Sequence, residues 1–118
     1  MKLVIYAPQP FQDLLCRQTI EYIEKNFDRE EFGKPQIYRA DGQPFGYVIK
    51  DGHHRLFACH RLGIKRVDVE LVRENMPKSV LEAAVELYKK KIRSVKGLQD
   101  CIRDEFECKL ILMACGGL

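Results

Sequence analysis

The sequence has no long apolar run, no export signal and no marked charge imbalance. No apolar stretch approaches the roughly 18 to 20 residues that a membrane-spanning helix needs, which argues against a membrane protein. Residues 1–6 lead directly into a strand-like segment without a signal-peptide pattern, so we expect a cytoplasmic protein. The net charge is +3, which permits an anionic ligand but is far below that of proteins dedicated to nucleic acid.

The cysteines also lack a recognisable pairing. The five cysteines form no Cys-X-X-Cys pair, and an odd number without an export signal predicts free thiols in a reducing compartment. Cys101, Cys108 and Cys115 recur every seven residues, which on a helix gives one stripe with a spacing of about 10.5 Å. That spacing is too long for a shared metal ion. We interpret the stripe as buried small side chains, with a homodimer seam or redox chemistry as alternatives.

The composition is that of one soluble globular domain. The 118 residues are 46% hydrophobic and 31% charged, and they contain no internal repeat or low-complexity tract. This length supports a single core and is too short for two independent ones.

Apolar periodicity and turn residues predict an α+β fold in which the order to residue 72 is β-α-β-β-α-β. Pro8 and Pro10 break the first strand and precede the first helix, Asp41-Gly42 makes a hairpin turn, and Gly63 ends the second helix. The predicted strands are residues 3–6, 35–39, 45–50 and 67–72, and the predicted helices are residues 11–27 and 53–62.

Two further helices are predicted after residue 75. Ser79 and Glu82 match a capping box at the start of the first, and Gly97 is expected to end it. The second is predicted to span residues 98–114. Together they would form an αα-hairpin.

The informative motif is Asp51-Gly52-His53-His54-Arg55, which falls between a predicted strand and a predicted helix. Backbone N–H groups and the positive end of the helix dipole point out of such a turn and attract anions. Gly52 leaves room for an anion, Arg55 can bind it through two N–H groups, and His53 and His54 can donate further hydrogen bonds. Asp51 is the candidate to hold a magnesium ion or to accept a proton.

The histidines also have plainer interpretations. His53 and His54 could be surface residues, and His60, seven residues after His53, is expected to be solvated on a helix face. A histidine metal site is disfavoured because adjacent residues point to different sides of a helix. No metal ligand is therefore assigned.

The chain resembles the ParB/sulfiredoxin superfamily over residues 3–72. Residues 52–58 match the family's G-x-x-R-x-x-A phosphate box, and Leu62-Gly63-Ile64 with the following strand matches what comes next. The resemblance implies a small mixed sheet with packed helices over residues 1–75. We expect residues 76–118 to pack on the same domain as a helical hairpin. It also implies a nucleotide ligand: CTP as in the partition proteins, ATP as in sulfiredoxin, or ADP or ATP as in the archaeal free-serine kinases, which share the Asp-Gly-His-His-Arg motif.

Departures from these relatives restrict the activity. His53 stands where sulfiredoxin has its catalytic cysteine, which argues against sulfinic-acid reduction. Gln12 stands where the serine kinases have an activating glutamate, so a kinase reaction would need Asp13 beside it. The catalytic candidates are thus Asp51 and Asp13.

Three hypotheses follow. The first is a nucleotide-binding protein, with phosphotransferase or nucleotide hydrolase activity left open. The second is a ParB-like DNA-binding, partition or regulatory protein that uses the C-terminal helices, and the third is a scaffold that has lost its ligand. The DNA-binding hypothesis depends on five cations: Lys89, Lys90, Lys91, Arg93 and Lys96. The alternative role of these cations is to offset the negative end of a helix dipole.

Overall fold

The computed structural model describes residues 1–27 and 33–114, with side chains up to residue 111. Over these ranges the chain has a mixed α+β architecture, which confirms the predicted class at that level. The strands are β1 Lys2–Val4, β2 Leu15–Cys16, β3 Gln36–Arg39, β4 Tyr47–Asp51, β5 Arg66–Asp68, β6 Glu70–Leu71 and β7 Ile102–Arg103. The helices are α1 Arg17–Lys25, α2 His53–Leu62, α3 Lys78–Lys89 and α4 Glu105–Ala114, with a 3₁₀ helix at Val95–Cys101.

The strands form three small sheets. The central sheet has the order β4-β3-β6, with β3 antiparallel to β4 and parallel to β6. The predicted hairpin through Asp41-Gly42 is therefore confirmed. The strands β1 and β5 pair antiparallel, and β2 and β7 pair parallel. Gln9 lies beside β4, where its N–H donates to Tyr47 O at 2.8 Å and its carbonyl accepts from Ile49 N–H at 2.9 Å.

The predicted start of the first helix at residue 11 is wrong, because α1 begins at Arg17. Residues 11–16 are instead held by partners distant in sequence. The N–H groups of Phe11 and Cys16 donate to the imidazoles of His53 and His54, and Leu15–Cys16 pairs with β7. These tertiary contacts outweigh the helical periodicity of the segment.

The single strand predicted over residues 67–72 is also wrong. Arg66–Asp68 pairs with β1, whereas Glu70–Leu71 pairs with β3 in another sheet. Val69 lies between them, is 2% exposed, and donates its N–H to Met1 O at 2.8 Å. The chain thus passes from one sheet to the next at this residue.

The C-terminal region differs most from expectation. The helix α3 starts after Pro77, whose carbonyl accepts from Val80 and Leu81 N–H, and no side chain caps it, so the predicted capping box is wrong. It ends at Lys89, short of the predicted Gly97, and Lys91 takes a positive φ of 68°. The predicted helix over residues 98–114 is interrupted, because Ile102–Arg103 extends to pair with β2 before α4 begins.

This interruption removes the predicted cysteine stripe. Cys101 lies in the 3₁₀ helix and Cys108 in α4, while Cys115 is outside the described residues. Cys108 forms a disulfide with Cys16, and the Cα atoms are 6.2 Å apart, within the usual range for a disulfide. The prediction of free thiols is therefore wrong for this pair, which the β2–β7 pairing brings together. Cys59 and Cys101 are free.

Two hydrophobic clusters lie on opposite faces of the central hairpin. Because successive strand residues point to opposite faces, Ile49 and Val48 enter different clusters. The first cluster packs α1, α2 and the 3₁₀ helix together, with Phe57 and Leu56 fully buried. The second packs α3 on the other face through Ala84. The start of α2 is thereby fixed at the carboxyl end of β4. Within the described ranges, no helix has the length and apolar character to span a membrane.

Candidate functional site

The turn between β4 and α2 requires glycine. Gly52 has a φ of 117°, in the left-handed region that side chains disfavour. A Cβ atom at this position would lie 2.9 Å from Pro35 Cβ and 3.3 Å from Arg55 Nη2. Gly52 therefore allows Pro35, β4 and the first turn of α2 to approach one another closely.

The N-terminus of α2 carries N–H groups that have no partner within the helix itself. The bond from Leu56 N–H to Gly52 O, at 2.9 Å, closes the first turn, so the preceding N–H groups lie outside the helical hydrogen-bond pattern. Among the described residues, no side chain caps this end. These N–H groups and the helix dipole give the turn a positive potential.

An open cleft of about 290 Å³ lies at this helix end. Three segments contribute to it: the loop before β2, one face of α1, and the motif itself. Its lining residues are Gln12, Thr19, Tyr22, Ile23, Lys50, Asp51, Gly52, His53, His54 and Arg55. The fold therefore brings the whole predicted motif to one cavity.

Arg55 has a largely buried side chain at the edge of the cleft. It is 14% exposed, and its Nη2 lies 3.1 Å from Asp51 Oδ2. The guanidinium also lies near two glycines, since a Cβ on Gly33 would be 3.9 Å from Nη1 and one on Gly52 would be 3.3 Å from Nη2. This packing holds the guanidinium in a defined orientation, as recognition of a phosphate requires.

The two histidines hold the wall of the cleft. His53 Nε2 accepts from Phe11 N–H at 3.2 Å, and His54 Nε2 accepts from Cys16 N–H at 3.0 Å. Each imidazole is therefore neutral, with its proton on Nδ1. Burial, together with His54, lowers the pKa of His53 to about 3, and burial also lowers the pKa of His54. The His53 ring also packs edge-on against Phe11, with centroids 4.9 Å apart.

The predicted catalytic carboxylates lie in different places. Asp51 lines the cleft at the end of β4, with its side chain 71% exposed. Asp13 is exposed and is not among the lining residues, and its charge contributes to raising the pKa of the Cys101 thiol. Gln12 does line the cleft, and its amide donates to Leu14 O at 2.7 Å.

Five lining residues were absent from the predicted site: Gln12, Thr19, Tyr22, Ile23 and Lys50. The Lys50 ammonium pairs with the Glu74 carboxylate, and this hydrogen bond raises the pKa of Lys50. Its place directly before the motif could have indicated it. Thr19 and Tyr22 come from α1, some thirty residues earlier, and their contribution depends on how α1 packs on α2.

The free cysteine of α2 is not arranged as a nucleophile. Cys59 is 2% exposed, and burial raises the pKa of its thiol to about 11. At neutral pH it is a protonated thiol, and the thiol form is a poor nucleophile.

Protein ligands for a metal ion are few. Nowhere in residues 1–27 and 33–114 do three or more His, Cys, Asp or Glu side chains cluster as a metal site. Magnesium, however, is often held by one carboxylate together with substrate phosphates. Asp51 fits that lesser role.

Comparisons with known proteins leave the family open. No family model matches the chain, and no curated protein matches it. A solved structure similar to it is that of protein Atu1540 from Agrobacterium tumefaciens, with a TM-score of 0.47 and 15% sequence identity. The match covers 78% of this chain and 48% of that one, so this chain spans about half the length of its structural relative.

Proposed function

We propose that the chain is a cytoplasmic nucleotide-binding protein of the ParB/sulfiredoxin type, which binds the phosphates of ATP, ADP or CTP at the start of α2. The observation that carries this proposal is the cleft, in which Lys50, Gly52 and Arg55 meet at an uncapped helix N-terminus. The sequence resemblance supports it independently, because the G-x-x-R-x-x-A box occupies this turn.

The charges support an anionic ligand. Lys50 and Arg55 bring two positive charges to the lining, where Arg55 pairs with Asp51, while Lys50 pairs with Glu74 outside the lining. A phosphate would compete with Asp51 for Arg55, and such charge-assisted hydrogen bonds are stronger than neutral ones. His53 and His54 would contribute indirectly, by holding residues 11–16, of which Gln12 lines the cleft.

A phosphotransferase or nucleotide hydrolase activity is the further part of the proposal. Asp51 would act at the cleft, either on a magnesium ion bridged to the phosphates or on the hydroxyl of an acceptor. The position of Asp13 outside the lining gives it no comparable support. Nucleotide binding is therefore tested first. Assays of phosphoryl transfer follow once a bound nucleotide is identified.

Arg55→Ala is expected to abolish nucleotide binding or to weaken it by at least about tenfold, which corresponds to about 1.4 kcal/mol. A thermal-shift screen against ATP, ADP, CTP, GTP and inorganic phosphate with magnesium measures this, because a ligand that binds the folded state raises the melting temperature. Arg61→Ala is the matched control: Arg61 lies on the same helix, pairs with Glu24 and does not line the cleft. Equal nucleotide affinity in the wild type and Arg55→Ala would contradict the proposal.

A second candidate function is DNA binding, favoured by a separate surface. The cations at the last residue of α3 and in the segment after it are all exposed: Lys89, Lys90, Lys91, Arg93 and Lys96. Such a surface would bind the phosphate backbone, and its affinity would fall steeply with salt. A gel-shift assay at two salt concentrations tests this, and binding that does not weaken with salt would argue against it.

A further inference from the structure

A second cavity adjoins the cleft on the other side of Arg55. It measures about 250 Å³, and apolar groups from α1, α2 and β5 line much of it. Its lining residues are Ile23, Phe27, Gly33, Lys34, Pro35, Arg55, Cys59, Val67 and Asp68. Ile23 and Arg55 line both cavities, so the two are neighbours that share a wall.

The guanidinium of Arg55 extends from one cavity to the other. Its Nη2 is directed to Asp51 and Gly52, which line the cleft. Its Nη1 lies on the side of Gly33, which lines the second cavity. A ligand with its phosphates on Nη2 would therefore have its remaining part within reach of the second cavity.

The sizes and the chemistry of the two cavities are complementary. Sites for small molecules typically measure about 300 to 1,000 Å³; the cavities, at about 290 and 250 Å³, lie near the lower limit singly and within the range together. The cleft is bordered by charged groups. The second cavity has Ile23, Phe27 and Val67 in its wall and so suits a flat apolar ring.

We propose that the second cavity binds the base of the nucleotide whose phosphates occupy the cleft, and that Asp68 favours a base with an exocyclic amino group. This inference rests on the proposed function. The inference extends the proposed function by assigning base recognition to residues outside the motif.

Asp68 has the chemistry for this selection. Its carboxylate lines the cavity and pairs with the Lys34 ammonium at 3.3 Å and with the terminal ammonium at 2.9 Å. An ionised carboxylate only accepts hydrogen bonds, and it retains lone pairs beyond these two contacts. It can accept from the amino group of adenine or cytosine, whereas uracil presents a carbonyl oxygen at the equivalent position and would be repelled.

The test is calorimetric titration of the full chain with ATP, CTP, UTP and inorganic triphosphate. Val67→Phe fills the second cavity, and Val85→Phe is its matched control, since Val85 is also partly buried but lines a different cavity on α3. We expect ATP or CTP to bind wild type at least tenfold more tightly than triphosphate. Val67→Phe should remove that difference and leave triphosphate affinity unchanged within twofold, whereas Val85→Phe should change neither.

The two proposals fail in different ways. If wild type binds neither triphosphate nor any nucleotide, the proposed function itself is wrong. If wild type binds triphosphate as tightly as ATP and CTP, the base has no site and this inference is wrong. Asp68→Asn is a second variant on a partly exposed side chain, for use if Val67→Phe does not fold. It should reduce the preference for ATP or CTP over UTP at least threefold, and an unchanged preference would overturn the role of Asp68.

Discussion

Acid should destabilise the protein through His53, and the structure gives the size of the effect. The imidazole is 4% exposed, accepts a backbone hydrogen bond from Phe11, and has a pKa of about 3 in the folded chain. An unfolded histidine titrates near pH 6.5. Because the folded pKa is the lower one, the stability is fully present above about pH 6.5. It is lost as the pH falls, since only the unfolded chain then takes up the proton.

The magnitude follows from the difference between the two pKa values. At pH 5 the unfolded imidazole is almost fully protonated and the folded one almost fully neutral, which lowers the free energy of unfolding by about 2 kcal/mol relative to pH 8. His54 adds to the loss in the same direction, because burial lowers its pKa too. The depressed pKa of Asp68 contributes only below its ordinary value of 3.8, outside this pH range.

Urea unfolding followed by far-ultraviolet circular dichroism at pH 8, 7, 6 and 5 measures the effect. His53→Gln removes the titrating group while retaining a hydrogen-bond acceptor, so the loss between pH 8 and 5 should shrink by about 2 kcal/mol. His60→Gln, on the same helix but outside the cleft lining, should retain that loss. An equal loss in wild type and His53→Gln would refute the argument that His53 is buried and neutral.

Two further variants test the disulfide and the glycine turn that hold the site in place. Cys108→Ser removes the disulfide between Cys16 and Cys108, which are 92 residues apart in sequence, and chain entropy predicts a loss of about 4 to 5 kcal/mol in the free energy of unfolding. Thermal unfolding without reductant measures this loss, and Cys101→Ser, at a free cysteine, should have little effect. Equal melting temperatures for wild type and Cys108→Ser would argue against the disulfide. Gly52→Ala should cost about 1 to 3 kcal/mol from its positive φ, with an added cost from the contact to Pro35, and should abolish phosphate binding. Gly42 also has a positive φ but has open space around it, so Gly42→Ala measures the cost of backbone strain alone. Equal losses of stability in Gly52→Ala and Gly42→Ala would show that the Pro35 contact is unimportant.

The parts of the fold with strong local signals were predictable. The helix α2 has its predicted bounds, because Gly52 and Gly63 both take positive φ and delimit it. The hairpin β3–β4 follows from Asp41-Gly42 for the same reason. The start of α1 was missed because bonds to His53 and His54 hold residues 11–16, and no local pattern encodes such distant partners.

For the site, the sequence predicted the turn and Arg55 but not the environment of the histidines. The burial of the two imidazoles, and the hydrogen bonds that their Nε2 atoms accept, depend on where residues 11–16 pack. That packing arises from tertiary structure. The same limit applies to Thr19 and Tyr22, which line the cleft only because α1 packs against α2. The second cavity likewise needs β5 and α1 to be assembled.

The passage of one short segment through two sheets bears on how the molecule opens. Arg66–Asp68 belongs to the β1–β5 sheet and Glu70–Leu71 to the central one, with buried Val69 as the junction. Neither sheet can unfold alone without disturbing the other, because the backbone passes directly from one sheet into the other. The two should therefore exchange their amide hydrogens with similar protection, as one cooperative unit, although no strand runs the width of both.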